Sequence, residues 1–309
     1  MFDKLVLVTR KTRLDGLIER FNTRGQAKFY LEHAGLDFSD YEAEDDTYRR
    51  AREAVLGQLQ VGLKVQVLDR ALVSTYLFGP SDLVIVLGQD GTVANAAKYV
   101  GAQPILGVNP DPARFDGVLL PFQIASLKRG LAEALEARAA VREVTLAEAV
   151  LSDGQRLKAF NDLFIGARTH VSAQYRLSTA SHAPERQSSS GVIVSTGAGS
   201  TGWLSSLCAG AASLTLATGG QRGEAVRLAW EDPRLFFVVR EPFVSRHSSA
   251  GCTAGHVERE APLSVESLMP SGGVIFGDGV EDDALSFTSG LVATVRPAEQ
   301  RAQLVVPRS

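Results

Sequence analysis

The chain has 309 residues, of which 45% are hydrophobic and 22% charged, and its formal net charge is −3 at pH 7. This length exceeds a typical domain of roughly 100 to 200 residues, so we expect two domains or one domain with a large insertion. A slightly acidic chain has no overall attraction for polyanions, which argues against nucleic acid as a partner. No apolar run approaches the roughly 20 residues of a membrane span, so no membrane partner is expected either.

The N-terminus has neither the pattern of a signal peptide nor that of a transit peptide. The two cysteines, Cys208 and Cys252, lie far apart and outside any CxxC spacing. Neither a disulfide framework nor a thiolate zinc site is therefore expected. These features favour a cytoplasmic protein.

The first 110 residues alternate short apolar runs with polar stretches of helical spacing, which is typical of βα units. We predict four strands, at 5–8, 64–68, 83–87 and 104–108. Apolar residues at three- and four-residue steps predict three helices, at 45–58, 92–99 and 124–139. Continuous apolar strands separated by helices predict a parallel sheet that is covered on both faces.

From residue 141 onward the pattern changes to short apolar runs punctuated by Gly, Ser and Pro, which is typical of antiparallel sheets. The predicted strands are 144–151, 163–166, 175–177, 192–194, 235–239, 291–295 and 304–306. A helix is predicted at 203–216 and a surface loop at 178–190. The sequence thus predicts an α/β domain (1–140) and a β-rich domain (141–309), with a ligand crevice between them and with last strands able to pack back on the first domain.

A glycine-containing turn, Gly88-Gln89-Asp90-Gly91-Thr92, follows the predicted strand 83–87 and precedes a predicted helix. A strand, a glycine turn and a helix together place backbone N–H groups against an anionic ligand. Asp90 lies where open α/β sheets bind ligands, so it is a candidate base for an attacking hydroxyl. The same pentapeptide also fits a simple helix cap, and this motif alone leaves both interpretations open.

Five segments, in this order along the chain, resemble the NAD kinase superfamily. The pentapeptide at 88–92 resembles the Gly-Gly-Asp-Gly-Thr signature that NAD kinases share with diacylglycerol and sphingosine kinases, with Gln89 in place of the second glycine. The other four segments are 106–112 (Leu-Gly-Val-Asn-Pro-Asp-Pro), 160–162 (Phe-Asn-Asp), 194–203 (Val-Ser-Thr-Gly-Ala-Gly-Ser-Thr-Gly-Trp) and 277–279 (Gly-Asp-Gly). The set is most similar to mitochondrial-type NAD kinases and covers most of the chain.

The resemblance implies the NAD kinase fold and transfer of the γ-phosphoryl group of ATP to the 2′-hydroxyl of NAD, giving NADP, with Mg²⁺ accompanying ATP. It also implies a homodimer or homotetramer, and it makes Asp90 the catalytic base. The residues that it places against the phosphates are Gly88, Gly91 and Thr92. Those that it places against NAD are Asn161, Asp162, Thr201, Ser206 and Asp278.

Two arginines extend this set on positional grounds. Arg13 follows the first predicted strand and Arg114 follows the fourth, where basic side chains reach donor phosphates in open α/β sheets. A solvated basic turn explains either residue equally well. We predict no metal site built from protein groups alone, because the histidines and acidic residues lack the spacing of metal ligands.

Three alternatives remain open. Gln89 is compatible with a catalytically silent NAD(H)-binding protein, and the Gly-rich Asp turn is compatible with a lipid kinase of the diacylglycerol type. The segment 197–202 also fits the GxGxxG fingerprint of a Rossmann dinucleotide site. That fingerprint requires an acidic residue about 20 positions further on, and Glu224 and Glu231 are both badly placed for this role.

Overall fold

A computed structural model describes residues 2–308. The chain divides into two compact units: unit 1 contains the residues up to 142 and those from 303 onward, and unit 2 contains residues 143–302. Unit 1 carries a parallel sheet with helices, and unit 2 is built from antiparallel sheets. The predicted fold class is therefore confirmed. No helix within residues 2–308 has both the length and the apolar character to cross a membrane.

The sheet of unit 1 has the order β2-β1-β3-β4-β19-β6, and a short strand, β5, pairs with β4. Its strands are β1 (Lys4–Thr9), β2 (Lys64–Asp69), β3 (Asp82–Leu87), β4 (Pro104–Asn109), β5 (Phe122–Gln123), β6 (Ala140–Val144) and β19 (Ala302–Val306). The first four strands run parallel, and β19 is parallel to β4. Because parallel strands share one direction, the carboxyl ends of β1, β3 and β4 lie at the same edge of this sheet.

Among its described residues, unit 1 has five helices, α1 (Arg13–Phe21), α2 (Arg24–His33), α3 (Phe38–Gln58), α4 (Asp90–Ala97) and α5 (Ile124–Leu135), with a 3₁₀ turn at Arg70–Thr75. Helix α3 turns Tyr48, Ala51 and Val55 toward the sheet at helical spacing. These side chains and those of α5 share one hydrophobic core with the apolar residues of β1, β3 and β4. Burial of this face fixes the register of the strands.

Helices α1 and α2 lie in a stretch for which no helix was predicted. Each begins at a threonine whose hydroxyl accepts a backbone N–H three residues later: Thr12 from Asp15, and Thr23 from Gln26. The Asp15 carboxylate also accepts the backbone N–H of Thr12, which completes a capping box. The threonine followed three residues later by an acid or amide is a helix-start signal that could have predicted both helices.

Unit 2 contains two six-stranded sheets. The first has the order β11-β10-β15-β18-β7-β8, with strands β7 (Ala147–Leu151), β8 (Arg156–Ala159), β10 (Ala173–Thr179), β11 (His182–Ser189), β15 (Leu263–Ser267) and β18 (Val292–Pro297). The second has the order β14-β13-β12-β9-β16-β17, with strands β9 (Asp162–Ala167), β12 (Val192–Ser195), β13 (Leu235–Val239), β14 (Ala254–Val257), β16 (Gly273–Gly277) and β17 (Val280–Ser286). Inward side chains of both sheets, including Tyr175 and Phe237, form one core together with Phe287, which follows β17.

Helix α6 (Trp203–Ala217) follows a 3₁₀ turn at Gly199–Thr201 and packs Trp203 and Leu207 against Phe164 on the second sheet of unit 2. The predicted helix at 203–216 is therefore confirmed. The predicted surface loop at 178–190 is wrong, because residues 182–189 form the edge strand β11. Its polar side chains concealed it: Gln187 is fully buried and donates to the Cys252 carbonyl at 2.8 Å, and Ser189 pairs with the Tyr175 hydroxyl at 2.6 Å.

Candidate functional site

The turn between β3 and α4 presents main chain at its tip. Gln89 is the N-cap of α4 and has an ordinary extended conformation (φ −113°, ψ 168°), so this position does not require glycine. Thr92 is buried, and its hydroxyl lies 3.4 Å from the backbone nitrogen of Gln89, which closes the first turn. Gly91 is exposed, and a Cβ added there would meet no atom within 4 Å. An anion could therefore approach the helix N-terminus at Gly91.

Asp90 is the first residue of α4 and is half-buried. Its Oδ1 accepts the backbone N–H of Leu119 at 2.6 Å, which fixes the orientation of the carboxylate. Its Oδ2 has no hydrogen-bond partner among residues 2–308. Asp90 thus has one anchored oxygen and one oxygen that is available to a ligand.

The loop after β4 is fixed tightly enough to hold that anchor. Asn109, buried at the end of β4, donates from its side-chain amide to the Phe115 carbonyl at 2.9 Å and accepts the Asp111 N–H at 3.0 Å. Gly107 lets the returning chain approach: a Cβ there would lie 2.2 Å from the Leu119 carbonyl oxygen. A side chain at position 107 would therefore push Leu119 away from Asp90.

The two arginines expected near donor phosphates meet at one carboxylate. Arg13 and Arg114 each pair with Asp40 of α3, at 2.7 Å and 2.8 Å, through different oxygens. Their hydrogen bonds, that of Arg114 being the stronger influence, lower the pKa of Asp40 to about 2. Asp40 therefore remains charged at neutral pH and occupies the position between two guanidinium groups that a phosphate would suit.

A second acidic residue, Glu44, lies buried beneath this cluster and pairs with both Arg10 and Arg13. Burial acts to raise its pKa, but the two guanidinium groups outweigh burial and lower it. Tyr48 links the same region to the sheet, because its hydroxyl accepts the Arg10 N–H at 2.8 Å and donates to the Leu87 carbonyl at 3.1 Å. The carboxyl ends of β1 and β3 are thereby tied together.

In unit 2, the predicted Asn161-Asp162 pair lies in the turn from β8 to β9. The side-chain amide of Asn161 has no hydrogen-bond partner within the described residues. Oδ1 of Asp162 is shielded from solvent and also lacks a partner there. Burial of this carboxyl raises its pKa to about 7, against the lowering effect of the Ser195 hydroxyl and with a further increase from the charge of Asp278. The Asn161 amide is thus partly exposed without a partner, and the Asp162 carboxyl carries a buried oxygen without a partner.

The other residues of unit 2 that were predicted to contact NAD lie near this turn or near the start of α6. The Asp278 carboxylate accepts hydrogen bonds from the backbone N–H groups of residues 160–162. The Thr201 hydroxyl is exposed and lies 3.5 Å from the Ala198 carbonyl, and the exposed Ser206 hydroxyl lies 3.5 Å from that of Gly202. Neither hydroxyl is committed to the core, so both remain accessible.

The GxGxxG segment 197–202 does not lie in a Rossmann unit. The strand before it, β12, is antiparallel to both of its neighbours, β9 and β13. A Rossmann fingerprint requires a parallel βαβ unit. Glycine occupies position 199 because of packing. A Cβ there would lie 2.2 Å from the Asn161 carbonyl oxygen, so this loop packs directly against the Asn161 turn.

Sequence reasoning missed three groups that shape these sites: the Leu119 N–H, the Tyr48 hydroxyl and the Thr196 side chain. Thr196 is fully buried, and its hydroxyl donates to the Phe160 carbonyl at 2.6 Å. A threonine inside a Gly/Ser-rich loop carried a weak signal, whereas a backbone N–H carries none. Within residues 2–308, no group of three or more His, Cys, Asp or Glu side chains is arranged to hold a metal ion.

No protein-family model matches the chain. Among solved structures, yeast NADH kinase in complex with NADH aligns with 99% of this chain and 84% of its own, at a TM-score of 0.57 and 17% identity. An NAD kinase from Archaeoglobus fulgidus in complex with ATP aligns with 97% of this chain and 93% of its own, at a TM-score of 0.54 and 18% identity. The chain therefore has the fold of the NAD(H) kinases.

Two characterised sequences match over most of their length. NAD kinase 2, mitochondrial, from Rattus norvegicus is 24% identical over 316 aligned positions, which cover 79% of this chain and 74% of the relative. Its Homo sapiens counterpart is 24% identical over 318 positions, covering 79% and 71%. Together with the fold, these matches support membership of the NAD kinase superfamily, and the resemblance predicted from the ordered motifs is confirmed.

Proposed function

We propose that the protein is an NAD kinase-like phosphotransferase, which transfers the γ-phosphoryl group of ATP to the 2′-hydroxyl of NAD and forms NADP and ADP. The observation that carries this proposal is Asp90, which has one oxygen anchored by Leu119 and one oxygen available at the N-terminus of α4. The names of the matched relatives and the NADH and ATP bound in the two structural neighbours support the choice of substrates.

The reaction needs few protein groups. The 2′-oxygen of the ribose bonds to the γ-phosphorus, and the bond from that phosphorus to the bridging oxygen of ADP breaks. Asp90 accepts the hydroxyl proton, and the free backbone N–H groups at the start of α4 stabilise phosphate charge. Phosphoryl transfer depends mainly on positioning and charge neutralisation, so no covalent protein intermediate is required.

Mg²⁺ would enter with the nucleotide. Magnesium keeps several waters and would be held largely by the substrate phosphates, which leaves the one available oxygen of Asp90 to accept the hydroxyl proton. When bound, the ion would neutralise charge on the transferred phosphoryl group. Arg13 and Arg114 would add positive charge once a phosphate displaces the Asp40 carboxylate.

The acceptor would be held by unit 2. Asn161 and Asp162 have side-chain groups without hydrogen-bond partners in the described chain, and ribose hydroxyls supply both donors and acceptors for them. Thr201 and Ser206 expose further hydroxyls near the start of α6. These groups suit a polar nucleotide better than the acyl chains of a lipid.

A second candidate is a catalytically silent NAD(H)-binding protein. Two observations favour it: Gln89 places an amide side chain at the turn, and Arg13 and Arg114 are both already paired with Asp40. In such a protein, NAD would bind without being phosphorylated.

The purified protein should therefore be assayed for NADP formation with NAD or NADH, ATP and Mg²⁺, beside calorimetric titration with NAD. NADP formation supports the kinase. NAD binding without turnover, followed by turnover in Gln89→Gly, supports the silent binder. Absence of both NAD binding and turnover would overturn the proposal.

A further inference from the structure

The backbone of the turn at residues 160–162 is held by one distant side chain. Asp278 accepts the Phe160 N–H through Oδ2 at 2.9 Å and the Asn161 N–H through Oδ1 at 2.6 Å. Oδ1 also accepts the Asp162 N–H at 3.3 Å, and the Asp278 N–H donates to the Asp162 carbonyl at 2.9 Å. A single residue more than 100 positions away thus satisfies four backbone groups of the turn.

The conformation of Asp278 adapts it to this task. Asp278 (φ 58°) and Gly279 (φ 69°) are both left-handed and join β16 to β17. Two consecutive left-handed residues define a tight hairpin turn in which Asn-Gly and Asp-Gly are both favoured. An asparagine would therefore satisfy the hairpin. It would not satisfy the turn at 160–162, because its NH₂ group would face a backbone donor where the carboxylate has an acceptor.

Thr196 holds the same turn from the other side. Its hydroxyl donates to the Phe160 carbonyl, and its N–H donates to the Asn161 carbonyl at 2.9 Å. The backbone of the turn is thereby fixed, while the Asn161 amide and Oδ1 of Asp162 are left without partners in the described structure. Buried polar groups are normally paired, so the unpaired Oδ1 of Asp162 points to a missing partner, and the half-buried amide of Asn161 beside it is also uncommitted.

We infer that Asp278 is a positioning residue, which fixes the turn at 160–162 so that Asn161 and Asp162 meet the polar groups of NAD. Asp278 itself makes no contact with the nucleotide in this arrangement, in contrast to the direct contact that the resemblance implied. The inference rests on the proposed function for the identity of the ligand. The backbone part of the inference, that Asp278 fixes the turn at 160–162, depends only on the hydrogen bonds.

Asp278→Asn tests the backbone part by amide hydrogen exchange, with Asp282→Asn as the matched control. Asp282 is an exposed acid on β17 of the same hairpin. We expect exchange at residues 160–162 to accelerate at least tenfold in Asp278→Asn and to stay unchanged in the control. Unchanged exchange in Asp278→Asn would overturn the inference even if the protein proves to be a kinase.

Calorimetric titration tests the ligand part. Asp278→Asn should weaken NAD binding about tenfold or more, and the affinity for ATP should remain within about twofold. Asn161→Ala should weaken NAD binding in the wild-type background but add little in the Asp278→Asn background, because the amide has already lost its position. Independent, multiplying effects would contradict the inference. Absence of NAD binding by the wild type would instead contradict the proposed function, while the exchange result would still decide the backbone part.

Discussion

Asp90 is the residue on which the proposed chemistry depends, and its hydrogen bond with Leu119 separates its structural role from its chemical role. In Asp90→Asn the amide oxygen can still accept the Leu119 N–H, so the fold of the loop should persist. The proton acceptor is lost. We expect kcat to fall by about 10²–10⁴, the usual contribution of a general base, while the KM values for NAD and ATP change by only a few-fold.

Steady-state NADP formation measures this effect, and Asp116→Asn is the control. Asp116 is an exposed acid in the same loop. A kcat of Asp90→Asn close to that of the control would remove Asp90 from the role of base.

The raised pKa of Asp162 predicts a pH dependence of folding stability, which can be measured without an activity assay. Its pKa rises from 3.8 to about 7 in the folded state, so between pH 4 and pH 7 the folded protein keeps a proton that the unfolded chain has released. Stability therefore falls as pH rises through this window, by up to about 4 kcal/mol above both pKa values. Asp162→Asn cannot ionise and should lack this loss.

The measurement is urea unfolding followed by tryptophan fluorescence, which reports unit 2 because both tryptophans, Trp203 and Trp230, belong to it. At pH 8 we expect Asp162→Asn to be more stable than wild type, and at pH 4 we expect little difference. Equal stability of the two proteins at both pH values would show that the carboxyl is ionised freely in the fold.

At the scale of elements, helix α3 brings an acid to the two arginines that the donor phosphates would need. Asp40→Asn removes the charge that holds Arg13 and Arg114 together. Because exposed ion pairs are weak competitors, we expect ATP to bind roughly two- to fivefold more tightly. Arg13→Ala should have the opposite effect and raise the Kd for ATP.

Asp46→Asn is the matched control, since Asp46 is an exposed acid on the same helix. Calorimetric titration with ATP at low and high salt distinguishes an arginine pair inside the donor site from one outside it. An ATP affinity in Asp40→Asn that equals the control would place the arginine pair outside the donor site.

The elements that could be predicted from sequence are those with a continuous or periodic apolar pattern. Strands β1 to β4 lie within one residue of their predicted bounds. Strands β1, β3 and β4 are almost entirely buried and are therefore written as apolar runs, whereas β2 is a largely exposed edge strand that was recognised from its Val and Leu residues. Strand β11 could not be found this way, because its inward side chains, among them Gln187 and Ser189, are polar and reach partners on other strands.

For the candidate site, sequence motifs could predict individual residues but not the contacts that orient them. Asp90 lies at the end of a parallel strand, as its position after an apolar run implied. The groups that orient it and the Asn161 turn could not be predicted. The Leu119 N–H is 29 residues from Asp90, and the Asp278 carboxylate is 117 residues from the Asn161 N–H that it accepts. Contacts at such separations leave no spacing pattern in a single sequence.

At the scale of the whole molecule, strand β19 completes the sheet of unit 1 after the chain has built all of unit 2. Leu304 and Val305 are buried in this strand, and Val305 belongs to the core of unit 1. Leu304→Ala should destabilise unit 1 by about 2–5 kcal/mol, the usual cost of this truncation in a core. It should leave unit 2 unaffected.

Unfolding followed both by circular dichroism and by tryptophan fluorescence tests this division. Leu304→Ala should shift the circular dichroism transition without moving the fluorescence transition. Leu263→Ala, the same truncation in the core of unit 2, is the control and should move the fluorescence transition. A fluorescence shift in Leu304→Ala would show that the two units unfold together.

The late position of β19 also orders events on the ribosome. Chains are made from the N-terminus, and domains generally fold as units during synthesis. The strands of unit 2 are all available before residues 302–306 emerge, whereas β4 lacks its β19 neighbour until then. The half that carries Asp90 is therefore the last to reach its finished form, and a nascent chain can complete the turn at residues 160–162, the proposed acceptor site, before it completes the sheet that holds Asp90.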